Sequence, residues 1–292
     1  MHRARAYGDV VMEAETRGKT LAAARIRALA PEIERARLRL GRPPTLGVVA
    51  TGDTTNRRFV AIKQEAFERA GAVLQPEFLA AGADTNSVRD VVTRLGRAAG
   101  VDGIFVQFPL PAAVDGQACA DAIEPGKDVD AASAASLGRL LAGQPQFLPA
   151  APAAVLELLS DGVGELLQRT VIVVGADGVV ARAILLLCVA RGAICGITAP
   201  DDPALPDQLA GVDAAVFTDA LPPRDALRLV RSGAVLLDAA YYLPRRPDHW
   251  LQDRTRSQLG AFLPQYGNVG PLTVALLMEA TVRAALAPTR AR

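Results

Sequence analysis

The chain reads as an α/β protein in two parts, each built on a parallel sheet, with the second part Rossmann-like. Three observations predict this. Short apolar runs such as Thr45–Ala50, Gly103–Pro111 and Thr170–Val174 are too brief for helices and are bounded by Gly and Pro, as buried strands are. Stretches with apolar residues at helical spacing alternate with these runs, and that alternation builds parallel sheets. The 292 residues, 50% of them hydrophobic, suffice for two domains at roughly 100–200 residues each. The expected division is residues 1–148, rejoined by a C-terminal helix over 272–292, and residues 149–271.

Thr16–Arg39 is rich in Ala, Leu, Ile, Glu and Arg and predicts one long helix or two broken near Pro31. Gly41-Arg42-Pro43-Pro44 ends it, and Thr45–Ala50 is the first strand. Asn56–Ala70 predicts a helix with Phe59, Ile62, Ala66 and Phe67 on its inward stripe, closed by Gly71. Val73–Leu79 is a strand, and Ser87–Ala99 a helix with Val88, Val91, Val92 and Leu95 inward. Gly103–Pro111 reads G-I-F-V-Q-F-P-L-P. Its prolines have no N–H for a ladder, so the strand stops abruptly and presents Gln107 at its carboxyl end, where open α/β sheets bind ligands. On this stretch alone, Gln107 serves as well to satisfy backbone groups at a strand end.

Asp115–Ile123 predicts a helix, Lys127-Asp128-Val129-Asp130 a loop, Pro145–Pro152 an extended crossing, and Ala153–Leu159 the start of a connecting helix. Thr170–Val174 opens the second sheet. It runs into Gly175-Ala176-Asp177-Gly178 and a helix through Ala181–Arg191. Ala193–Thr198, Val212–Phe217 and Ala234–Asp238 are further strands, with helical Pro223–Val230 between the last two. Gly267–Pro271 is a Gly-rich loop before a final helix, Leu272–Leu286.

A net charge of +1 points to neither nucleic acid nor anionic membrane as a partner. The N-terminus has no apolar segment of signal-peptide type, and the longest apolar runs fall short of a membrane span. Cys119, Cys188 and Cys195 are scattered without metal spacing, so a reduced, cytoplasmic protein is expected. With two histidines, His2 and His249, a Ser-His-Asp triad or histidine metal site is disfavoured, and no metal is expected. Among 32 Lys and Arg residues only Lys19, Lys63 and Lys127 are lysine. Lys can lose its proton when buried and Arg effectively cannot.

Three separated pieces then align. Phe59 and Lys63 stand at i and i+4 on one helix face, Gln107 at a strand end, and Lys127-Asp128-Val129-Asp130 in a loop. Gly138-Arg139-Leu140 through Gln144-Pro145 and Gly267-Asn268-Val269-Gly270-Pro271-Leu272-Thr273 follow in order. Together, from about residue 17 to 286, they resemble the bifunctional methylenetetrahydrofolate dehydrogenase/cyclohydrolase family. The resemblance implies that Lys63 is the catalytic lysine, that Gln107 orients it, and that Asp130 is the carboxylate gripping the pterin ring. It implies further substrate contacts at Phe59, Val106, Pro109, Leu110, Gly267, Gly270, Pro271 and Thr273, cofactor contacts at Gly175, Asp177, Gly178 and Asp201, and a homodimer built through the second domain. The chemistry suits these residue types. A carboxylate accepts in pairs from the donors of a pterin, and a partly buried lysine can relay a proton at the one-carbon bridge between N5 and N10.

The departures from the family pattern cluster. Phe59 replaces the usual Tyr, and the turn Gly52–Arg58 is shorter and lacks the usual serine. After Val174 the family's G-R-S-x-x-V-G-x-P becomes Gly175-Ala176-Asp177-Gly178-Val179-Val180-Ala181-Arg182-Ala183, without the phosphate-meeting arginine and serine. The family's H-S-K-T becomes Ala199-Pro200-Asp201-Asp202, and Phe217-Thr218-Asp219 and Asp238-Ala239-Ala240 also differ. Carboxylates there repel a 2′-phosphate, whereas one can accept from a free ribose 2′-OH. The expectation is a tetrahydrofolate derivative as substrate, NAD admissible and NADP disfavoured. Three readings stay open: a folate one-carbon enzyme with its redox site rebuilt or abandoned, an ordinary bifunctional enzyme using NAD(P), and a silent folate-binding paralogue.

Overall fold

A computed structural model describes residues 17–80, 82–175, 178–218, 227, 229–240, 259–263 and 267–288. The predicted positions Asp177, Asp219 and His249, and most of the helix expected over Pro223–Val230, lie outside the described residues. The chain divides into two compact units: residues 23–150 with 274–288, and residues 17–22 with 151–273.

The first unit carries helix α1 (Arg17–Leu40), strand β1 (Thr45–Thr51), α2 (Thr54–Ala70), β2 (Val73–Leu79), α3 (Thr85–Arg97), β3 (Gly103–Val106), α4 (Gly116–Asp121) and α5 (Ala134–Leu141). Its three described strands lie in the order β2-β1-β3, all parallel. α1 is a single helix with Pro31 inside it, the first of the two alternatives expected there. Leu29, Ile33 and Ala36 carry one buried stripe across the proline, and their burial outweighs one missing N–H bond.

The inward stripe of α2 also differs from the expectation. Asn56, Val60, Lys63 and Phe67 are buried, while Ile62 is 46% exposed. Two polar residues occupy the core-facing positions, so a reading by hydrophobicity alone lands one position off. Asp53 caps the helix by accepting from the Asn56 N–H, and Gly71, at φ 83°, ends it.

α6 (Ala150–Val163) begins where an extended crossing was expected. Pro152 falls in its first turn, where the N–H has no intrahelical partner in any case. α5, led by the N-cap Ser133, is a further helix that the sequence reading passed over.

The second unit holds β4 (Thr170–Val174), α7 (Val179–Ala190), β5 (Ile194–Thr198), α8 (Leu205–Ala210), β6 (Ala214–Phe217), β7 (Val235–Asp238) and β8 (Ala261–Leu263). The described strands are all parallel, in the order β5-β4-β6-β7-β8. This doubly wound order reverses direction between β4 and β6, which sets a crevice outside the carboxyl ends of those strands. β5 is an edge strand with Ile194 and Ile197 exposed.

α9 (Val269–Leu286) starts within the expected Gly-rich loop, which leaves Gly267 and Asn268 as the turn. By length and composition α9 could cross a membrane. Its Val274, Leu277, Met278 and Val282 instead sit in the core of the first unit with Leu46, Val48 and Phe67.

Candidate active site

The carboxyl end of β3 gathers the site. Gln107 follows the strand, and its N–H still bonds the Val49 carbonyl at 2.8 Å, so the side chain is held by sheet geometry. A cis Phe108–Pro109 peptide then turns the chain away. The Lys63 ammonium, reaching in from α2, donates to Gln107 Oε1 at 2.7 Å. Lysine can only donate, so this bond fixes which amide atom faces it, and the Gln107 Nε2 donates to the Phe108 carbonyl. Both residues are buried, Lys63 at 6% exposure and Gln107 at 1%.

Asp130 arrives by a different route. The Lys127 carbonyl accepts the Ile104 N–H at 2.8 Å, and Asp128 bridges Ile104 in parallel register. The loop thus runs beside β3, and continuing that register carries Asp130 toward the strand's end. Gly103 makes the close approach workable, since a Cβ there would lie 2.7 Å from Val129.

The four residues of this motif divide their labour. The Lys127 ammonium donates to the Gly96 and Ala98 carbonyls at the end of α3. Asp128, fully buried, accepts from the Ala132 and Ser133 N–H groups and from the Ser133 and Ser136 hydroxyls. Val129 packs in the core. Asp130 accepts from the Ala150 N–H at 2.8 Å through Oδ1, tying the loop to the start of α6.

Burial and charge shape this cluster. Desolvation lowers the Lys63 pKa to about 8, while the charge of Asp130 pulls it upward. Desolvation likewise raises the Asp130 pKa to about 7, against the Ala150 bond and Lys63, which lower it. The Phe59 and Phe105 rings lie 5.8 and 5.4 Å from the Lys63 nitrogen, within reach of a cation–π contact. A base and an acid that both change charge near neutral pH, side by side, are equipped to move protons.

Among the other expected residues, Val106 is the buried last residue of β3, Pro109 is exposed, and Leu110 is half-buried. Gly267 lies in the turn before α9 and Gly270, Pro271 and Thr273 at its start, all four in the other unit. Gly267 adopts φ 88° and its carbonyl accepts the Lys19 N–H at 3.0 Å. The Thr273 hydroxyl donates to the Val269 carbonyl at 2.8 Å.

At the carboxyl ends of the second sheet, Gly175 follows β4, and Gly178 precedes α7 without a side-chain cap. Thr218 follows β6 with its hydroxyl buried and unpartnered among the described residues. Asp201 is exposed after β5. Asp202 turns its carboxylate to its own loop, accepting from the Thr198 hydroxyl and the Ala204 N–H, both at 2.8 Å, and these bonds lower its pKa.

Sequence reasoning missed Asn56. It is fully buried on the α2 stripe, and its Nδ2 reaches the Pro109 carbonyl at 3.0 Å, in the loop after Gln107. The only available signal was a polar residue seven positions before Lys63, on the same helix face.

Comparison with known proteins agrees with this architecture. Residues 16–130 match the family model described as tetrahydrofolate dehydrogenase/cyclohydrolase, catalytic domain. Residues 149–289 match that of its NAD(P)-binding domain. The chain is 32% identical over 272 residues to the bifunctional protein FolD of Methanoculleus marisnigri, covering 92% of this chain and 95% of that one. It is 35% identical over 251 residues to bifunctional protein FolD 1 of Rhodococcus jostii, covering 84% of each. A 5,10-methylenetetrahydrofolate dehydrogenase from the silkworm, Bombyx mori, superposes with a TM-score of 0.80 at 26% identity, over 92% of this chain and 96% of that one.

Proposed function

The chain belongs to the tetrahydrofolate dehydrogenase/cyclohydrolase family of enzymes, and on that premise we propose that it hydrolyses 5,10-methenyltetrahydrofolate at the Lys63 site. The observation that carries this reading is the buried Lys63–Gln107 bond beside Asp130, with Lys63 brought to about 8. The methenyl carbon, an amidinium bridging N5 and N10, takes the oxygen of a water molecule. Neutral Lys63 accepts the proton which that water sheds. The carbon–N5 bond then breaks, N5 takes up a proton, and the 10-formyl product and one net proton remain. Gln107 holds the ammonium in place through its amide oxygen. The unengaged Oδ2 of Asp130, and the second lone pair of Oδ1, face the donors of the pterin. Phe59 supplies a ring face but no hydroxyl.

The dehydrogenase half is the second reading. A dinucleotide, when bound, would accept a hydride from the methylene form. Several features of the second unit fit one: the β4/β6 crevice, the uncapped start of α7 behind Gly178, and the unpartnered Thr218 hydroxyl. The exposed Asp201 at the end of β5 suits a ribose 2′-OH better than a 2′-phosphate, so NAD is the preferred nucleotide in this reading. The matched domain is described as NAD(P)-binding, which does not separate the two. One spectrophotometric assay tests both halves by following methenyl- and methylenetetrahydrofolate with NAD, with NADP and with neither. Methenyl loss in all three arms is expected. Absence of catalysed methenyl loss in every arm overturns the hydrolase reading, and fast NADP reduction restores the ordinary bifunctional enzyme.

A further inference from the structure

We propose that Asn56 is a positioning residue for the reaction, the second of two clamps that hold α2 against the loop after β3. The proposal rests on the reading of Lys63 as the proton-transfer group. Asn56 and Lys63 are seven residues apart on α2, so they share a face about 10 Å apart along the helix axis. Gln107 and Pro109 are two residues apart on the loop. One clamp is Lys63 Nζ to Gln107 Oε1 at 2.7 Å, and the other is Asn56 Nδ2 to the Pro109 carbonyl at 3.0 Å. The Phe108 carbonyl between them accepts from Gln107 Nε2, so both clamps close on the same short stretch.

The orientation of the Asn56 amide is dictated by its neighbours. Its Nδ2 lies against Thr51 Oγ1, against Asp53 Oδ2 at 2.9 Å and against the Pro109 carbonyl, and the last two can only accept. Flipping the amide would put oxygen against oxygen. The cost of this arrangement is visible, because Asn56 Oδ1 is buried with no partner among the described groups. An aliphatic side chain here would avoid that orphan but would take the donor from the Pro109 carbonyl, so the amide is kept for its nitrogen. The contact of the nitrogen with the Pro109 carbonyl joins α2 to the loop that follows Gln107, and so fixes where Gln107 stands relative to Lys63.

The test separates positioning from local stability. Asn56→Ala removes the contact with Pro109. Thr51→Ala loosens the same end of β1 and leaves that contact in place. For methenyltetrahydrofolate hydrolysis, Asn56→Ala should lower kcat at least tenfold with KM within threefold of wild type, and Thr51→Ala should keep kcat within twofold. If the alanine variant is too unstable to purify, Asn56→Ser keeps a donor without the reach, and the same split is expected. Wild-type kcat in an Asn56 variant overturns the proposal, as does an equal loss in Thr51→Ala. The wild-type protein in the same assay shows separately whether the hydrolase reading itself holds.

Discussion

The two sheets begin alike and end differently. In the first, Asp102, just before β3, accepts the N–H of Thr45 at the start of β1 at 2.8 Å and pairs with Arg42. In the second, Asp213, just before β6, accepts the N–H of Thr170 at the start of β4 at 2.9 Å and pairs with Arg231. The carboxyl ends correspond too. Gln107 N–H bonds Val49, and Thr218 N–H bonds Val174. From there they diverge. Gln107 accepts from a buried lysine that also feels the charge of Asp130, whereas Thr218 keeps a hydroxyl unpartnered among the described residues, and the loop after β5, on the far side of β4, carries Asp201 and Asp202. The comparison teaches that apolar strand cores and amino-end joints maintain a doubly wound sheet, while the carboxyl ends are free to change chemistry.

Three experiments break or sharpen that comparison. The largest effect is expected at the first site. Lys63→Met should lower hydrolysis by about 10²–10⁴-fold, the range of a lost general acid–base group, with the far-ultraviolet circular dichroism unchanged. Wild-type turnover in that variant would move the chemistry elsewhere. The next effect belongs to the second sheet. Calorimetric titration should show NAD binding about 10- to 100-fold more tightly than NADP, because an unpaired anion beside Asp201 costs on the order of 1–3 kcal/mol. Equal affinities would mean that the carboxylate turns away from the ribose.

The smallest effect is on stability. The pKa of Asp130 is raised in the fold, so the native state holds a proton that the unfolded chain has lost between about pH 4 and 7. Stability contributed by this group therefore falls as pH rises through that window. Asp130→Asn should raise Tm by a few degrees at pH 8 and by less at pH 5, while weakening folate binding. A Tm gain that does not depend on pH would show that Asp130 is not held this way.

The candidate residues of the first site were picked out by the family resemblance rather than by spacing alone. Lys63, Gln107 and Asp130 each stand at a sequence landmark: a helix stripe, a strand end marked by prolines, and a short charged loop. What was not legible depended on direction and on distant partners. Asn56 hides on a core stripe whose polar members break the apolar period, and its partner Pro109 is 53 residues away. Asp202 was read as facing a ligand, yet Thr198 and Ala204 hold its carboxylate, and a sequence places a residue without aiming it. Pro31 left a break open as one of two readings, and Pro152 was read as part of an extended crossing. Burial carries the helix through the first, and the tolerance of a first helical turn for proline accommodates the second.

The central claim is that buried Lys63, neutral above about pH 8, takes the proton from the attacking water without help from a nucleotide. The direct measurement is the pH dependence of nucleotide-free methenyltetrahydrofolate hydrolysis, corrected for the uncatalysed rate, in wild type and Lys63→Arg. Burial lowers the lysine from its usual 10.5 to about 8, so the wild-type kcat should rise as pH passes up through about 8 and then level off. Arginine stays charged throughout, so the variant should be slow and lack that rise. A variant that keeps the same rise near pH 8 would contradict the account.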